Sequence, residues 1–467
     1  MRYAHTTAQV RAAEDPLLAA GVALMQRAAT GLAVAVAREL PFVYGARVAV
    51  LVGSGNNGAD ALWAGALLAR RGAQVVAVPA GEAVPDALAG LLRAGGRVGD
   101  AGSLADADVV LDGLVGIGAR GPLRPAAAEL VGRLGEHPSV VAVDVPSGVD
   151  ADTGAVAGPA VRAARTVTFG SYKPGLLLAR GHVGRLELVD IGLDLPAAPV
   201  EVLDAVDVAR LLPSADRMSD KYSRGVLGVV AGSQTYPGAA VLCVGAAVRA
   251  GAGMVRFVGA PHAAEQVRSR WPETLVTEAA GADVVRAGQV QAWAVGPGLG
   301  TCDPAAVEAV LASEVPVLVD ADALTVCTRH PEWLRDRTAA TLLTPHDREF
   351  ERFGSKLGDD RVRAARRLAA ELGVHVLLKG DATVVVGPDG AARVNDTGST
   401  VLATAGSGDV LSGGVGALLA QGLEVRDAAS VGAWLHGMAG RLSAAGASTS
   451  ASRLLEAWPD AVREADR

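Results

Sequence analysis

RVAVLVGSGNNGAD, residues 47–60, decides the fold. Residues 47–52 are almost all Val, Ala or Leu, which predicts a strand buried on both faces of a parallel sheet. Gly53, Gly55 and Gly58 follow at G-x-G-x-x-G spacing, and an Ala-rich helical stretch comes next. Strand, glycine turn and helix in that order begin a doubly wound α/β unit. The turn's N–H groups then suit a phosphate at the helix start. The motif alone is weak. A dinucleotide fingerprint also asks for an acid about 20 residues on, at the end of the next strand. Here the next run, 74–78, passes into Pro79-Ala80-Gly81, and the first acid is Glu82. An ordinary NAD dehydrogenase loses support. Asn56 and Asn57 can cap the helix or hold a ligand or cation. Asp60 falls in the first helical turn, where the helix dipole favours an acid.

The same rhythm runs in both directions from this stretch. Strands are expected at 107–111, 140–143, 166–169 and 185–189, after a helical lead-in over 7–40. The rhythm breaks between 195 and 224, with Pro196, Pro199 and Pro213 and a polar cluster over 216–224. A boundary near 205 gives domains 1–205 and 206–467. The second half restarts at 226–231. Strands are expected at 254–258, 292–295, 317–319, 341–343, 374–378, 383–386 and 392–394. Pro388-Asp389-Gly390 is a hairpin turn signal between the last two. Helices are expected at 409–420 and 427–444. The fold class is therefore α/β in both halves, with mostly parallel sheets.

The chain has 467 residues, enough for two or three domains at roughly 150 each. Half are hydrophobic and only 3% aromatic, so the core is built from Ala, Val and Leu and disorder is excluded. A net charge of -7 argues against nucleic acid as the main partner. Cys243, Cys302 and Cys327 lack metal spacing and fit a reducing compartment. There is no uninterrupted apolar run near 18 residues and no apolar signal core, so a cytoplasmic enzyme without membrane contact is expected.

Two more strand ends carry acids. Asp112 ends 109–111 and precedes a glycine-rich loop, 116–122; Asp144 ends 140–143 and precedes Ser147. Ligands of an open parallel sheet sit beyond the carboxyl ends of its strands. Asn57, Asp112 and Ser147 could converge there as oxygen ligands of a hard cation. Each acid could instead cap a neighbouring helix. In the second half, Thr404-Ala405-Gly406-Ser407-Gly408-Asp409 precedes an apolar helix. Its small residues let N–H groups face a phosphate, and Asp409 could act on a substrate hydroxyl beside it, or simply cap. The turns Gly296-Pro297-Gly298-Leu299-Gly300, Asp320-Ala321-Asp322, Thr344-Pro345-His346 and Lys379-Gly380-Asp381 each follow a strand and make one rim of a cleft. His at metal-ligand spacing is absent, so no zinc is expected.

Five motifs in order, LMQRAA (24–29), GSGNNGAD (53–60), LDGLVGIG (111–118), VDVPSGVD (143–150) and TFGSYKPGL (168–176), resemble the NAD(P)H-hydrate epimerase domain. The resemblance implies a Rossmann-like three-layer domain and a potassium ion on Asn57, Asp112 and Ser147. It implies substrate contacts from Asn56, Asn57, Gly58, Ala59 and Asp60, from Gly116, Ile117, Gly118, Ala119, Arg120, Gly121 and Pro122, and from Asp144. Asp144 is the candidate acid/base and Lys173 its helper. Where the family loop usually has glycines, this chain has Ala59 and Ala61. In the second half, VAGSQTYPGAAVL (230–242), GAGMVRF (251–257), VGPGLG (295–300), DADAL (320–324), LTPHDREF (343–350), LKGDAT (378–383) and ATAGSGDVLSGG (403–414) resemble the ADP/ATP-dependent NAD(P)H-hydrate dehydratase domain, of ribokinase-like fold. Carried over by motif, Ala239, Gly300, His346 and Asp409 face the hydrated nicotinamide nucleotide. Lys379, Gly380, Asp381, Ala382, Thr383 and Gly408 hold ADP or ATP. Two departures are Lys221-Tyr222-Ser223-Arg224, where the family often has His-Lys-Gly-Asp, and Asp-Arg after His346 in place of Pro-Gly.

The resemblance implies a fused repair enzyme. Its first half interconverts the R and S epimers of NADHX and NADPHX, and its second dehydrates the S form by phosphoryl transfer from ADP or ATP, with Mg2+ expected for that step. A homo-oligomer is expected. A small-molecule kinase of the same fold, and a nucleotide-sensing or scaffold protein, are the competing readings.

Overall fold

The computed structural model describes residues 1–135, 137, 139–213, 224–301 and 303–466. Lys221-Tyr222-Ser223 and Cys302 lie outside the described residues. The chain forms two compact units: residues 3–200, and residues 201–467 together with Met1 and Arg2. Both are α/β, as the alternation of apolar runs and Ala-rich stretches requires.

In the unit spanning 3–200, seven parallel strands pair in the order Arg97–Val98, Gln74–Pro79, Arg47–Val52, Val109–Gly113, Val140–Val143, Arg165–Phe169 and Arg185–Val189. Chain order reverses between Arg47–Val52 and Val109–Gly113, and a crevice opens there beyond the carboxyl ends of both strands. One face buries Leu32, Val36, Leu62 and Leu91; the other buries Leu104, Leu130 and Leu134. Helix Asn56–Arg70 leaves the first strand through Gly53. A Cβ on Gly53 would lie 1.8 Å from the Leu114 carbonyl oxygen, so only glycine lets the two loops pass this closely. Ala59 and Ala61 are fully buried within that helix, in ordinary right-handed conformation. Their methyl groups fill the core against the sheet. The expected lead-in over 7–40 is two helices, Thr7–Ala19 and Leu24–Glu39, broken at Gly21, whose φ is +74°.

In the other unit, nine of the eleven strands of its sheet pair in the order Ala392–Asn395, Thr383–Val386, His375–Leu378, Thr341–Leu343, Val317–Val319, Ala292–Val295, Val226–Val230, Met254–Gly259 and Leu275–Glu278. Thr383–Val386 runs antiparallel to both of its neighbours, and the other pairings are parallel. Pro388-Asp389-Gly390 makes the expected hairpin, with Gly390 at φ +80°. Chain order reverses between Val226–Val230 and Ala292–Val295. Helices Pro237–Arg249, Ser407–Ala420 and Val425–Ala444 cover one face, built around Trp458, Leu418 and Val415. Met1 and Arg2 belong here: the amino terminus pairs with Asp207 at 2.7 Å, and Arg2 with Asp204 and Asp396. Among the described residues no single helix is long and apolar enough to cross a membrane.

Candidate active sites

In the 3–200 unit, Asn57, Asp112 and Ser147 meet at the crevice. Ser147 Oγ donates to Asp112 Oδ1 at 2.6 Å, and Ser147 N to Asp112 Oδ2 at 2.8 Å. Asn57 Nδ2 donates to the Val115 carbonyl at 2.7 Å, and Val115 N donates to Ser147 Oγ at 3.1 Å. Asp112 is fully buried, and its partners are neutral. Burial pushes its carboxyl up to about 6, against the pull of the Ser147 and Leu114 hydrogen bonds. The set offers oxygen donors around one uncompensated carboxylate, which fits a hard cation.

Next to it stands a buried ion pair. Asp144 follows the strand Val140–Val143 with φ +64°, a left-handed conformation uncommon outside glycine. Such strain persists where surrounding contacts over-determine it, and Asp144 has those contacts. Its Oδ1 accepts from Lys173 Nζ at 2.6 Å, Thr168 Oγ1 at 3.0 Å and Phe169 N at 3.2 Å. Lys173 is wholly buried and also donates to Thr168 Oγ1 and the Phe169 carbonyl, both at 2.9 Å. The sequence reading missed two groups from helix Thr7–Ala19. Glu14 lies close enough to Asp144 for burial and that charge to raise its carboxyl. The Arg11 guanidinium lies against Gly118, 2.5 Å from where a Cβ would stand. The rest of the 116–122 loop is partly to fully exposed, with Arg120 3.7 Å from Asp152 and Gly116 packed on Asn57.

In the other unit, Asp409 sits in the first turn of helix Ser407–Ala420, behind Gly406 at φ +85°. The turn sets the N–H groups of Gly406, Gly408 and Asp409 at the positive end of the helix dipole, while that of Ser407 donates to the Thr404 carbonyl at 3.3 Å. Lys379 Nζ lies 3.6 Å from where a Gly408 Cβ would stand, so an ammonium floors the loop. Asp320, given no role from sequence, holds that ammonium: Lys379 Nζ donates to Oδ1 at 2.8 Å and Ser412 Oγ to Oδ2 at 2.6 Å. Burial alone would raise Asp320, but Lys379 with the Ser412 and Thr344 hydroxyls holds it below the usual carboxylate range. Asp409 moves the opposite way, up to about 6, through burial and the Asp320 and Asp322 charges, with Lys379 opposing. The signal for Asp320 was its place at a strand end, like Asp112 and Asp144. The next residue, Ala321, is left-handed at φ +49°.

The other expected contacts fall around this core. Asp322 Oδ2 accepts from Gly300 N at 2.8 Å. His346 Nδ1 accepts from Arg348 N and Glu349 N and so caps helix Asp347–Glu351, leaving Nε2 on a half-exposed ring. Ala239 packs on Gly298. Ala382 and Thr383 are buried, and the Thr383 hydroxyl turns back to the Gly380 carbonyl. His436, pushed down to about 4 by burial and therefore neutral, lies 2.9 Å from the Ser407 carbonyl through Nε2 and braces the glycine loop.

A sequence-family model described as YjeF-related protein N-terminus matches residues 21–175, and one described as NAD(P)H-hydrate dehydratase matches 227–459. The bifunctional NAD(P)H-hydrate repair enzyme Nnr of Mycobacterium tuberculosis is 51% identical over 445 residues, covering 92% of each chain. That of Mycobacterium leprae is 50% identical over 476 residues, covering 97% of this chain and 98% of the relative. Among solved structures, the ADP/ATP-dependent NAD(P)H-hydrate dehydratase from Bacillus subtilis, co-crystallised with ATP and Mg2+, aligns with a TM-score of 0.50 at 29% identity. It covers 57% of this chain and 99% of its own. A ribokinase-like superfamily protein from Enterococcus faecalis shares the fold at 22% identity and a TM-score of 0.52, over 58% of this chain and 98% of its own.

Proposed function

The chain belongs to the family of bifunctional NAD(P)H-hydrate repair enzymes, and from that premise we propose that it performs both halves of the repair. Residues 1–205 interconvert the R and S epimers of NADHX and NADPHX; residues 206–467 dehydrate the S form to NADH or NADPH with ADP or ATP. The observation that carries this reading is one chain holding two reactive centres, Asp144 with Lys173 and Asp409 with Lys379, each beyond the strand ends of its own sheet.

In the first half, the hydroxyl is lost from C6 as the ring-nitrogen lone pair forms a C=N bond, and water adds back from the other face. Asp144 takes the proton of the incoming water. Residues 56–60 and 116–122 position the nucleotide. Potassium belongs on Asn57, Asp112 and Ser147, where it would supply the counter-charge that Asp112 lacks and an anchor for ligand oxygens. Asp112 must be ionised to favour the cation, so potassium should raise the melting temperature at pH 8 and lose that effect below about pH 6. Equal shifts at pH 5 and pH 8, with choline as the control cation, would move potassium elsewhere.

In the second half, Asp409 takes the proton of the C6 hydroxyl, which attacks the terminal phosphorus of the donor. The loop N–H groups and Lys379 stabilise the charge on the transferring phosphoryl group. The new phosphate ester is a better leaving group than hydroxide. It departs from C6, a proton leaves C5, and the double bond returns. Mg2+ would be held in part by phosphate oxygens of the nucleotide, as is usual where it accompanies phosphoryl transfer. Lys379, Gly380, Asp381, Ala382, Thr383 and Gly408 hold ADP or ATP, while Ala239, Gly300 and His346 face the hydrated nucleotide. We also place the protein in the cytoplasm as a homo-oligomer. The exposed pair Phe42 and Tyr44 on the first unit is compatible with association.

The test is absorbance at 340 nm when the protein meets mixed R and S NADHX with ADP or ATP. Full recovery of NADH, dependent on nucleotide, is expected. Recovery of half would limit the protein to dehydration, once spontaneous epimer exchange is shown to be slow. A product that retains phosphate would make it a kinase.

A further inference from the structure

Epimerisation at C6 requires a proton to leave with the hydroxyl, and the Asp144–Lys173 pair has none to give. Lys173 has three N–H donors, and all three are used: on Asp144 Oδ1, Thr168 Oγ1 and the Phe169 carbonyl. Asp144, held by that ammonium at 2.6 Å and by two further donors, is an acceptor. Asp60 is the opposite case. It lies one helical turn behind the Asn56-Asn57 cradle, in helix Asn56–Arg70. Its Oδ1 is closed off from water and has no hydrogen-bond partner among the described residues. The charges that act on it are both negative, Asp144 from the end of strand Val140–Val143 and Glu14 from helix Thr7–Ala19. The cations of this cleft, Lys173 and Arg11, act on Glu14. An ionised Asp60 would have one oxygen desolvated and without a donor, with two like charges acting on it. A neutral carboxyl removes the repulsion and lowers the desolvation cost.

We propose that Asp60, as a neutral carboxylic acid, donates the proton to the departing C6 hydroxyl, while Asp144 is the carboxylate that receives the proton of the water adding back. This rests on the epimerase reading and gives it a second catalytic group. The C6–O bond breaks, its electron pair stays on oxygen, and oxygen takes the Asp60 proton and leaves as water. The nitrogen lone pair closes the C=N bond. Water then attacks C6, the C=N pair returns to nitrogen, and the surplus proton passes to Asp144. The proton then passes from Asp144 back to Asp60, which resets the site.

The experiment follows R-to-S conversion of NADHX chromatographically on the full chain without ADP, across pH 6.5 to 9.5 as about the usable range, in wild type and Asp60→Asn. Burial and the two carboxylates push Asp60 up to about 8, so the wild-type rate should fall above about pH 8 as the acid loses its proton. Asp60→Asn should slow epimerisation about 10²–10⁴-fold and abolish that alkaline limb. ADP-dependent recovery of NADH from the S epimer, measured on the same sample, should be unchanged and reports that the chain is folded. The wild-type profile needs no variant and tests the idea if Asp60→Asn fails to fold. Epimerisation by Asp60→Asn at the wild-type rate, or a flat wild-type profile through pH 8, overturns the acid and leaves the epimerase reading standing. A wild-type protein that interconverts nothing overturns both.

Discussion

Asp409→Asn should lower nucleotide-dependent dehydration of the S epimer about 10²–10⁴-fold while leaving R/S interconversion at the wild-type rate. The amide keeps the shape of the side chain and its place in the first turn of helix Ser407–Ala420, but it cannot accept the hydroxyl proton. The wild-type pH profile carries the same information. A general base works ionised, and burial with the Asp320 and Asp322 charges has raised Asp409 to about 6. Dehydration should therefore rise with pH through about 6 and flatten above it. The variant should lose that acid limb along with the rate. A variant that dehydrates at a tenth of the wild-type rate or better would reduce Asp409 to an acid that the helix dipole favours in the first turn. The two halves sit on one chain, so epimer exchange in the same tube separates a chemical defect from an unfolded protein.

The strands flanking both switch points were legible because each is built on a short apolar run, the mark of a strand covered on both faces. Arg97–Val98 and Leu275–Glu278 were not. They are outermost in the strand orders described, short and largely exposed, so no apolar run marks them. The glycine loops were legible for a related reason, since close backbone approach leaves its trace in composition. What the sequence withheld is pairing between residues far apart. Lys173 reaches Asp144 across 29 positions, Lys379 reaches Asp320 across 59, and Ser412 reaches Asp320 across 92. No periodicity encodes such contacts; they follow from which strand ends the topology brings together. Asp60 could be read as a residue favoured by the helix dipole. Its isolation among like charges exists only once Glu14 and Asp144 have converged on it. Ala59 and Ala61 show the converse: a departure from the family loop that the fold absorbs as ordinary core.

The second large effect concerns Lys173, and stability and catalysis part company there. Lys173→Met should destabilise the 3–200 unit by about 3–5 kcal/mol, since removing one partner strands the Asp144 charge in a buried site. Thr168 Oγ1 and the Phe169 carbonyl lose a donor as well, which adds to the cost. Epimerisation should vanish, because Asp144 loses the ammonium donor that holds its acceptor oxygen at 2.6 Å. The double variant Asp144→Asn with Lys173→Met removes the stranded charge. It should recover more than half of the lost stability in urea unfolding and none of the epimerisation. A pair that served the fold alone would give back activity together with stability. A pair that serves the chemistry returns only the stability, because the reaction uses the carboxylate itself, and the buried ammonium is the counter-charge that holds it in place.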